Sequence, residues 1–148
     1  MSVLLDTNVV SELIRKAPDP AVEAWAAGHA LEDLFFSAVG EAELRYGAAI
    51  LPAGRRRESL TSDIERMLSD AFDDRVLPFD SGATRDYAII ADMRRSAGRP
   101  VSPVNCQIAA IARSRGMAVA TRNVRDFDDI DIEIVNPWTA ERDRTFAL

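Results

Sequence analysis

The chain is poor in the residue types that build several common kinds of site. It contains one cysteine, one histidine and one lysine among 148 residues. A single cysteine excludes an internal disulfide framework and a cysteine zinc cluster, as is typical of a reducing interior. The single histidine, His29, excludes a histidine metal cluster and suits no Ser-His-Asp triad. No histidine or lysine is placed to activate Cys106, so we interpret this cysteine as a small buried residue.

Long hydrophobic runs and an excess of positive charge are also missing. The opening MSVLLDTN has no basic segment or apolar run suited to a signal peptide, and no later stretch approaches a membrane span. We therefore expect a cytoplasmic protein without a membrane anchor. The net charge of −6 disfavours bulk attraction to nucleic acid but allows a local basic patch. The one dense basic cluster, residues 55–57, is more typical of a solvated helix start than of a phosphate site.

Short apolar segments alternate with amphipathic ones along the chain. We predict strands at residues 3–5, 34–37, 75–79, 117–121 and 132–135. We predict helices at residues 9–16, 19–30, 38–51, 54–73 and 81–96, and another from residue 103. This alternation predicts an α/β fold, with a parallel sheet of four to five strands covered on both faces. The length suits one domain, residues 1–138, followed by a charged tail, residues 139–148, that is a candidate for mobility.

Polar residues directly follow two of the predicted strands. Asp6 follows the first strand, at the sheet edge where active sites lie in parallel sheets. Asp6 also suits a helix N-cap, although Asn8 could cap that helix alone. Asn123 and Asp126 follow the fourth strand, where a turn and helix cap is the simpler interpretation. Taken singly, these residues leave both interpretations open.

The segment SAVGEAELRYG carries two glutamates on one predicted helix. Glu41 and Glu43 are two positions apart, roughly 200° around a helix, so the two cannot face the same site. Glu41 has Arg45 four residues later, which favours an exposed ion pair. The helical neighbours of Glu43 are Val39, Tyr46, Gly47 and Ile50. They predict an inward-facing stripe where an unpaired carboxylate would be costly, so we choose Glu43 as the site residue.

The segment PVSPVNCQIAAIA, residues 100–112, is apolar or small apart from a few polar residues. Ser102 suits the N-cap of a helix, and Pro103 suits its first position. Asn105 then lies in the first turn, where the helix dipole would favour an anion instead of an amide. It shares its stripe with two small residues, Ala109 and Ala112, which predicts that Asn105 faces a hollow.

In a parallel sheet these polar positions would converge on one edge. They are Asp6, Glu43, Asn105 and the pair Asn123 and Asp126. Oxygen ligands of this kind suit a hard divalent cation such as Mg²⁺ or Mn²⁺.

Four motifs in combination resemble a known family. They are LLDTNVVSEL, SAVGEAELRYGA, SPVNCQIAAIA and ATRNVRDF followed by VNPW. Over residues 2–138 they resemble the PIN-domain toxins of the VapC type, closest to their FitB-like branch. The resemblance implies a PIN-like three-layer α/β/α fold and a ribonuclease, dependent on Mg²⁺ or Mn²⁺, that is the toxin of a bacterial toxin–antitoxin pair. It also implies a VapB- or FitA-like antitoxin, promoter DNA contacted only through that antitoxin, an RNA substrate and a homodimer.

The resemblance assigns the first two family acids to Asp6 and Glu43. Both would be catalytic and metal-binding residues. Supporting positions are Thr7, Asn8 and Thr121.

The third family acid falls on Asn105, where the family pattern has Asp. The exchange is nearly isosteric but removes one formal charge, so the resemblance implies weakened metal binding. The fourth position falls on Asn123 as a metal ligand, with Asp126 as the alternative acid. Arg122 and Arg125 are candidate contacts for RNA phosphates.

Two other doubly wound folds also place an aspartate after the first strand, namely response-regulator receivers and haloacid-dehalogenase-like phosphatases. Both require a lysine at a later strand end, whereas the only lysine, Lys16, lies in the first predicted helix. Both are therefore disfavoured. A non-enzymatic alternative stays open, in which the chain is a catalytically dead PIN domain that binds antitoxin or RNA without cleavage.

Overall fold

The computed structural model describes residues 1–140, which form a five-stranded sheet with helices on both faces. The strand order is β3-β2-β1-β4-β5, and every pairing is parallel. The strands are β1 (Val3–Leu5), β2 (Leu34–Ser37), β3 (Val76–Leu77), β4 (Ala118–Ala120) and β5 (Ile134–Val135). The predicted α/β class with a parallel sheet is confirmed.

Six α-helices connect the strands in the predicted order. They are α1 (Thr7–Ile14), α2 (Pro20–Ala27), α3 (Ala38–Ala49), α4 (Arg55–Met67), α5 (Ser81–Ser96) and α6 (Pro103–Ser114). The predicted helix over residues 54–73 is shorter, because a π-helical turn, Leu68–Phe72, follows α4 and Asp73 then has a positive φ of 29°. The basic residues 55–57 are exposed at the start of α4, as predicted.

Helix α1 begins two residues earlier than predicted. Asp6 is its N-cap, and the side chain accepts a hydrogen bond from the backbone N–H of Thr7. Asn8 therefore lies inside the helix, and the prediction that Asn8 could cap it is wrong. An acid directly after a strand can end the extended backbone and start the helix in one step.

The side chains of β1 alternate between two hydrophobic clusters. Val3 and Leu5 pack with residues of α1 to α4 on one face of the sheet. Leu4 packs with residues of α5 and α6 on the other face. This alternation follows from the period of two along a strand. It produces three layers, with the sheet in the middle.

The chain leaves β1 toward β2 on one side and reaches β4 on the other side. The carboxyl ends of β1 and β4 are therefore a topological switch point, where parallel α/β folds bind ligands. Leu5 pairs with Ala120, and the backbone N–H of Asp6 donates to the carbonyl of Ala120 at 2.9 Å. This places Asp6 and Thr121 next to each other at the crevice.

Within residues 1–140, no helix combines the length and the apolar character that crossing a membrane requires. The predicted tail over residues 139–148 falls outside the described residues from residue 141 onward.

Candidate active site

Asp6 is a nearly buried carboxylate with two fixed hydrogen bonds. Its side chain is 5% exposed. Oδ1 accepts from the backbone N–H of Thr7, and Oδ2 accepts from the hydroxyl of Thr121, both at 2.8 Å. Burial raises the pKa of Asp6, the two hydrogen bonds lower it, and the nearby charges of Glu43 and Asp126 raise it further. The net upward shift means that the folded protein disfavours the ionised carboxylate unless positive charge is supplied nearby.

Thr121 joins the end of β4 to the start of α1. It is fully buried, and its hydroxyl donates to Asp6. The same oxygen accepts from Asn8 Nδ2 at 3.4 Å and from the backbone N–H of Asn123 at 3.0 Å. The backbone N–H of Arg122 donates to Asn8 Oδ1 at 3.3 Å. The predicted supporting residues Asn8 and Thr121 thus belong to one hydrogen-bonded network with Asp6.

Glu43 is connected to Asp6 through Thr7. The Thr7 hydroxyl donates to Glu43 Oε1 at 2.6 Å, while the Thr7 backbone binds Asp6. Helix α3 carries Glu43 in its second turn and is capped by Ser37, whose buried Oγ accepts from the Gly40 N–H at 2.9 Å. Sequence reasoning missed this cap, although a serine directly before a predicted helix is its usual signal.

The prediction that the stripe of Glu43 faces inward is wrong. Glu43 is exposed, and Tyr46 and Ile50 are 68% and 64% exposed. The buried side of α3 is formed instead by Gly40 and Ala48, whose small size lets the helix lie close to the core. The ion pair expected on the other glutamate is present: Arg45 Nε lies 2.8 Å from Glu41 Oε2.

Asn105 lies in the first turn of α6, with Ser102 as N-cap and Pro103 at the first position, as predicted. Its backbone N–H donates to Ser102 Oγ at 3.3 Å. The half-buried side chain makes no hydrogen bond within residues 1–140. A groove of about 610 Å³ lies beside it, lined by Glu43, Val104 and Gln107 among others. The neighbours of Asn105, Val104 and Gln107, line this groove and Asn105 itself does not, so the prediction that Asn105 faces a hollow is not confirmed.

Asp126 and Asn123 occupy different places after β4. Asp126 ends a short 3₁₀ turn, Val124–Asp126, is half-buried, and is close enough for its charge to raise the pKa of Asp6. Asn123 is exposed and contributes its backbone N–H to Thr121. Of the two residues, Asp126 is thus the one whose charge acts on the pKa of Asp6. Of the candidate RNA contacts, both exposed, Arg122 lies over the Trp138 ring at 5.1 Å from its centroid.

The oxygen atoms at this edge suit a divalent cation in type and charge. Asp6, Glu43 and Asp126 supply carboxylates, and the charges of the latter two act on Asp6. Among residues 1–140 no hydrogen bond joins the amide of Asn105 to these acids, so its part in the site stays a prediction. A cation would also relieve the repulsion that helps to raise the pKa of Asp6. In the part of the chain that the structure describes, no three His, Cys, Asp or Glu side chains are close enough together to hold a metal ion. The site therefore fits the ion in its chemistry but lacks a complete set of converging acids.

The lone histidine and cysteine lie outside this network. His29 Nδ1 is 2.8 Å from the carbonyl oxygen of Trp25, and the two ring centroids are 4.5 Å apart with the ring planes tilted by 48°. Cys106 is 1% exposed, and burial raises the pKa of its thiol. Both environments agree with structural roles.

Comparison with known proteins identifies the family of this chain. The model of the PIN domain matches residues 3–133. The chain belongs to the PIN-domain family. Plasmid stability protein StbB of Pseudomonas syringae pv. tomato is 42% identical over 138 residues, covering 93% of this chain and 99% of that protein. Toxin FitB of Neisseria gonorrhoeae is 38% identical over 136 residues, covering 92% of this chain and 98% of that protein.

A third relative carries an enzyme name: VapC ribonuclease Y4jK of Sinorhizobium fredii is 41% identical over 136 residues, covering 92% of this chain and 97% of that protein. Among solved structures, a FitAB complex bound to a DNA fragment has a TM-score of 0.86 and 38% identity, covering 92% of this chain and 95% of that chain. The resemblance to PIN-domain proteins of the VapC and FitB kind is confirmed.

Proposed function

We propose that this PIN-domain protein is the toxin of a bacterial toxin–antitoxin pair and acts in the cytoplasm as a Mg²⁺- or Mn²⁺-dependent ribonuclease. The names of its relatives, VapC ribonuclease and toxin FitB, support the proposal. The observation that carries it is the buried carboxylate of Asp6 at the switch point of the sheet, within charge range of Glu43 and Asp126. A cation would offset the negative charge of these groups, and phosphodiester hydrolysis is chemistry that a cation supports.

The chain's own residues would prepare the site for RNA hydrolysis. Thr7 binds Asp6 through its backbone and Glu43 through its hydroxyl, so one residue sets the spacing of both carboxylates. Thr121 holds the second oxygen of Asp6. When bound, Mg²⁺ would supply a water of lowered pKa and neutralise charge that develops on the scissile phosphate. Asp6, Glu43 and position 105 would hold it, with Asp126 or Asn123 as the fourth position.

We further propose that Asn105 weakens this activity. Its amide oxygen can coordinate a cation, but it adds no negative charge in a helix turn that favours an anion. Two unit charges about 4 Å apart at an effective dielectric near 20 interact by roughly 4 kcal/mol, and repulsion among the acids offsets part of this. The Asn105→Asp variant should therefore bind Mn²⁺ at least about tenfold more tightly.

The experiment is cleavage of a mixed cellular RNA pool with Mg²⁺ or Mn²⁺ by the natural chain, by Asn105→Asp and by Asp6→Ala. If only Asn105→Asp cuts, and Asp6→Ala in that form abolishes cutting, position 105 is the weakened ligand. Cutting by the natural chain that depends on Asp6 would show that Asn105 is tolerated. If no form cuts any RNA, the ribonuclease proposal fails.

A second candidate function is binding without cleavage. The absence of three converging acids among residues 1–140 favours it, together with the neutral side chain of Asn105. The partner would be a VapB- or FitA-like antitoxin that presents an arginine to the acids, with DNA reached only through that antitoxin, or RNA held by Arg122 and Arg125. RNA binding in a gel-shift assay, without cleavage by natural or Asn105→Asp protein, would favour this function.

A further inference from the structure

A buried arginine on α5 binds the chain on both sides of Asp126. Arg94 is 4% exposed and lies in the last turn of α5. Its Nη1 donates to the carbonyl of Arg125 at 3.0 Å and to the carbonyl of Asp128 at 3.0 Å. The same nitrogen lies 2.8 Å from Asp128 Oδ1. One guanidinium nitrogen therefore contacts the residues at one and two positions from Asp126.

The segment that carries Asp126 has little regular structure of its own. We call residues 124–131 the Asp126 turn. It begins with a single 3₁₀ turn, and two later residues, Asp129 and Asp131, have positive φ angles of 59° and 58°. Aspartate is one of the few residues with a side chain that adopts this left-handed region readily, as it does in turns. Because the 3₁₀ turn ends at Asp126, contacts with other parts of the chain set where the Asp126 turn lies.

Three buried groups supply those contacts. Phe127 and Ile130 are 0% and 1% exposed, and they pack in the hydrophobic cluster between the sheet and helices α5 and α6. Arg94 adds the directional contacts to the backbone. A second arginine, Arg99, also contacts the turn, with Nη2 at 2.9 Å from Asp128 Oδ1, but its side chain is 42% exposed.

A role in packing alone does not account for Arg94. A buried guanidinium is costly to desolvate, and an apolar side chain would fill the same space without that cost. The Nε of Arg94 is buried with no hydrogen-bond partner among the described residues, so part of the cost is not offset. What the guanidinium adds is fixed geometry at two carbonyl groups that bracket Asp126.

We propose that Arg94 is a positioning residue that holds Asp126 at the candidate metal site. This inference rests on the proposed function, because it assigns Asp126 to the ion. It does not place Arg94 in contact with metal or RNA; Arg94 acts through the backbone of the Asp126 turn. A lone arginine near a helix end carries no sequence signal for this role, and sequence reasoning missed it.

The test measures Mn²⁺ affinity by isothermal titration calorimetry in the Asn105→Asp form. Arg94→Met should weaken Mn²⁺ binding by about tenfold or more, the usual effect of losing a residue that orients a metal ligand. Arg94→Lys, which retains charge and a donor, should recover part of the affinity. In an Asp126→Asn background, Arg94→Met should cause no further loss, because the two changes act through one group.

One matched control, Arg113→Met, and one comparison variant, Arg99→Met, remove other arginine contacts of the same helix pair and the same turn. Arg113→Met breaks the contact of Arg113 Nη1 with Asp86 Oδ1, at 2.6 Å, which joins α6 to α5. Arg99→Met removes exposed contacts to the Asp126 turn, including one at 3.4 Å to the Arg125 carbonyl that Arg94 also binds. Arg113→Met should leave Mn²⁺ affinity within about twofold of the parent, because Arg113 shares no hydrogen-bond partner with Arg94. Arg99→Met should cause a smaller loss than Arg94→Met, because Arg99 is exposed but shares partners with Arg94. Thermal unfolding measured in parallel checks that each variant is folded.

Several results would overturn the inference. In the first, Arg94→Met lowers the melting temperature but leaves Mn²⁺ affinity unchanged. In the second, Arg94→Met weakens Mn²⁺ binding equally with and without Asp126→Asn. In the third, Asp126→Asn alone leaves Mn²⁺ affinity unchanged. If Arg94→Met does not fold, Arg94→Lys takes its place. Unchanged Mn²⁺ affinity of Arg94→Lys, together with faster hydrogen exchange in the Asp126 turn, would also overturn the inference. Asp6→Asn separates the two proposals: if it weakens Mn²⁺ binding and Arg94→Met does not, only this inference fails. If Asp6→Asn has no effect, the proposed metal site fails as well.

Discussion

Single residues at the switch point have two roles at once. Asp6 is both the cap of α1 and the most buried acid of the site. Thr7 is both the first residue of α1 and the hydrogen-bond donor to two carboxylates. Sequence reasoning treated cap and ligand as competing interpretations of Asp6. The geometry allows both, because a carboxylate has two oxygen atoms and the cap uses only one of them.

The first prediction concerns the hydroxyl of Thr7. Thr7→Val keeps the backbone bond to Asp6 and the shape of the side chain but removes the donor to Glu43. In the Asn105→Asp form we expect Mn²⁺ binding to weaken by about tenfold, because Glu43 loses its orientation. Thr7→Ser is the matched control, since it retains the hydroxyl. Equal affinities of the two variants, measured by calorimetry, would contradict this role.

The second prediction concerns the pH dependence of stability. The pKa of Asp6 is raised in the folded state above its ordinary value of 3.8, so the folded protein binds this proton more tightly than the unfolded chain. Protonated Asp6 therefore stabilises the folded protein fully below the pKa of the unfolded chain. This contribution is lost as pH rises through the raised pKa of the folded protein, and above that pH the free energy of unfolding stays lower by a constant amount. Asp6→Asn has no such deficit.

The difference in melting temperature, Asp6→Asn minus natural protein, should consequently grow from acidic to neutral pH in the absence of divalent ions. A constant offset from the altered hydrogen bond to Thr121 adds to it without changing the trend. Mn²⁺ should reduce the difference at neutral pH by stabilising the carboxylate. A difference that is independent of pH would show that Asp6 is not perturbed.

At the scale of elements, α3 connects the sheet to the site through its first turns. Two glycines on this helix have opposite surroundings. A Cβ at Gly40 would lie 2.5 Å and 2.7 Å from ring atoms of Phe36 and 3.2 Å from Thr7 Oγ1. A Cβ at Gly47 would meet nothing within 4 Å. Of these two glycines, only Gly40 is needed for the close approach of α3 to β2.

The third prediction compares alanine at these two positions. Gly47→Ala should raise the free energy of unfolding by about 0.5–1 kcal/mol, the helix preference of alanine over glycine. Gly40→Ala should lower it by about 1–3 kcal/mol, because the fully buried Phe36 must move. Urea unfolding measures both. Similar stabilisation by the two variants would mean that Phe36 relaxes without cost.

Element positions were largely predictable, because strand runs, caps and helical spacing depend on residues near one another in the chain. Which neighbouring element packs against a given face of a helix was not predictable. The stripe of Glu43 was correctly identified as apolar, yet periodicity does not say which neighbour covers a stripe. In the structure it borders the groove beside α6 and stays exposed, and the buried side of α3 consists of small residues.

At the scale of the whole molecule, the exposed stripe of α3 is the natural place for association. Tyr46 and Ile50 are among the most exposed large apolar side chains, and the groove between α3 and α6 is mainly apolar in its lining. Exposed apolar patches of this kind mark interaction sites. The homodimer expected from the family resemblance stays a prediction, and this surface is where we place it.

The fourth prediction tests that placement by light scattering after size-exclusion chromatography. The natural chain should elute with twice the mass of one chain, and Tyr46→Asp should shift it toward the single-chain mass, because burying a carboxylate is costly. Ile89→Asp, at an exposed apolar residue of α5, is the matched control and should remain a dimer. A natural chain that is monomeric at high concentration, or a Tyr46→Asp dimer, would contradict the prediction.

The sequence by itself determined the element order and placed the acids at strand ends and the amide at position 105, because these depend on local spacing and on motifs. The choice of Glu43 stays a prediction, because the inward-facing stripe on which it rested is exposed. The tertiary structure decided the partners of those groups. The bonds Thr7 to Glu43, Arg94 to Asp128 and Thr121 to Asp6 join residues 36, 34 and 115 positions apart. Only the crossovers of the sheet bring such residues within hydrogen-bond distance, and no local pattern records which distant residue will arrive. For the same reason the electrostatic connection of Asp126 to Asp6, and the arginine that holds its turn, became visible only in the folded chain.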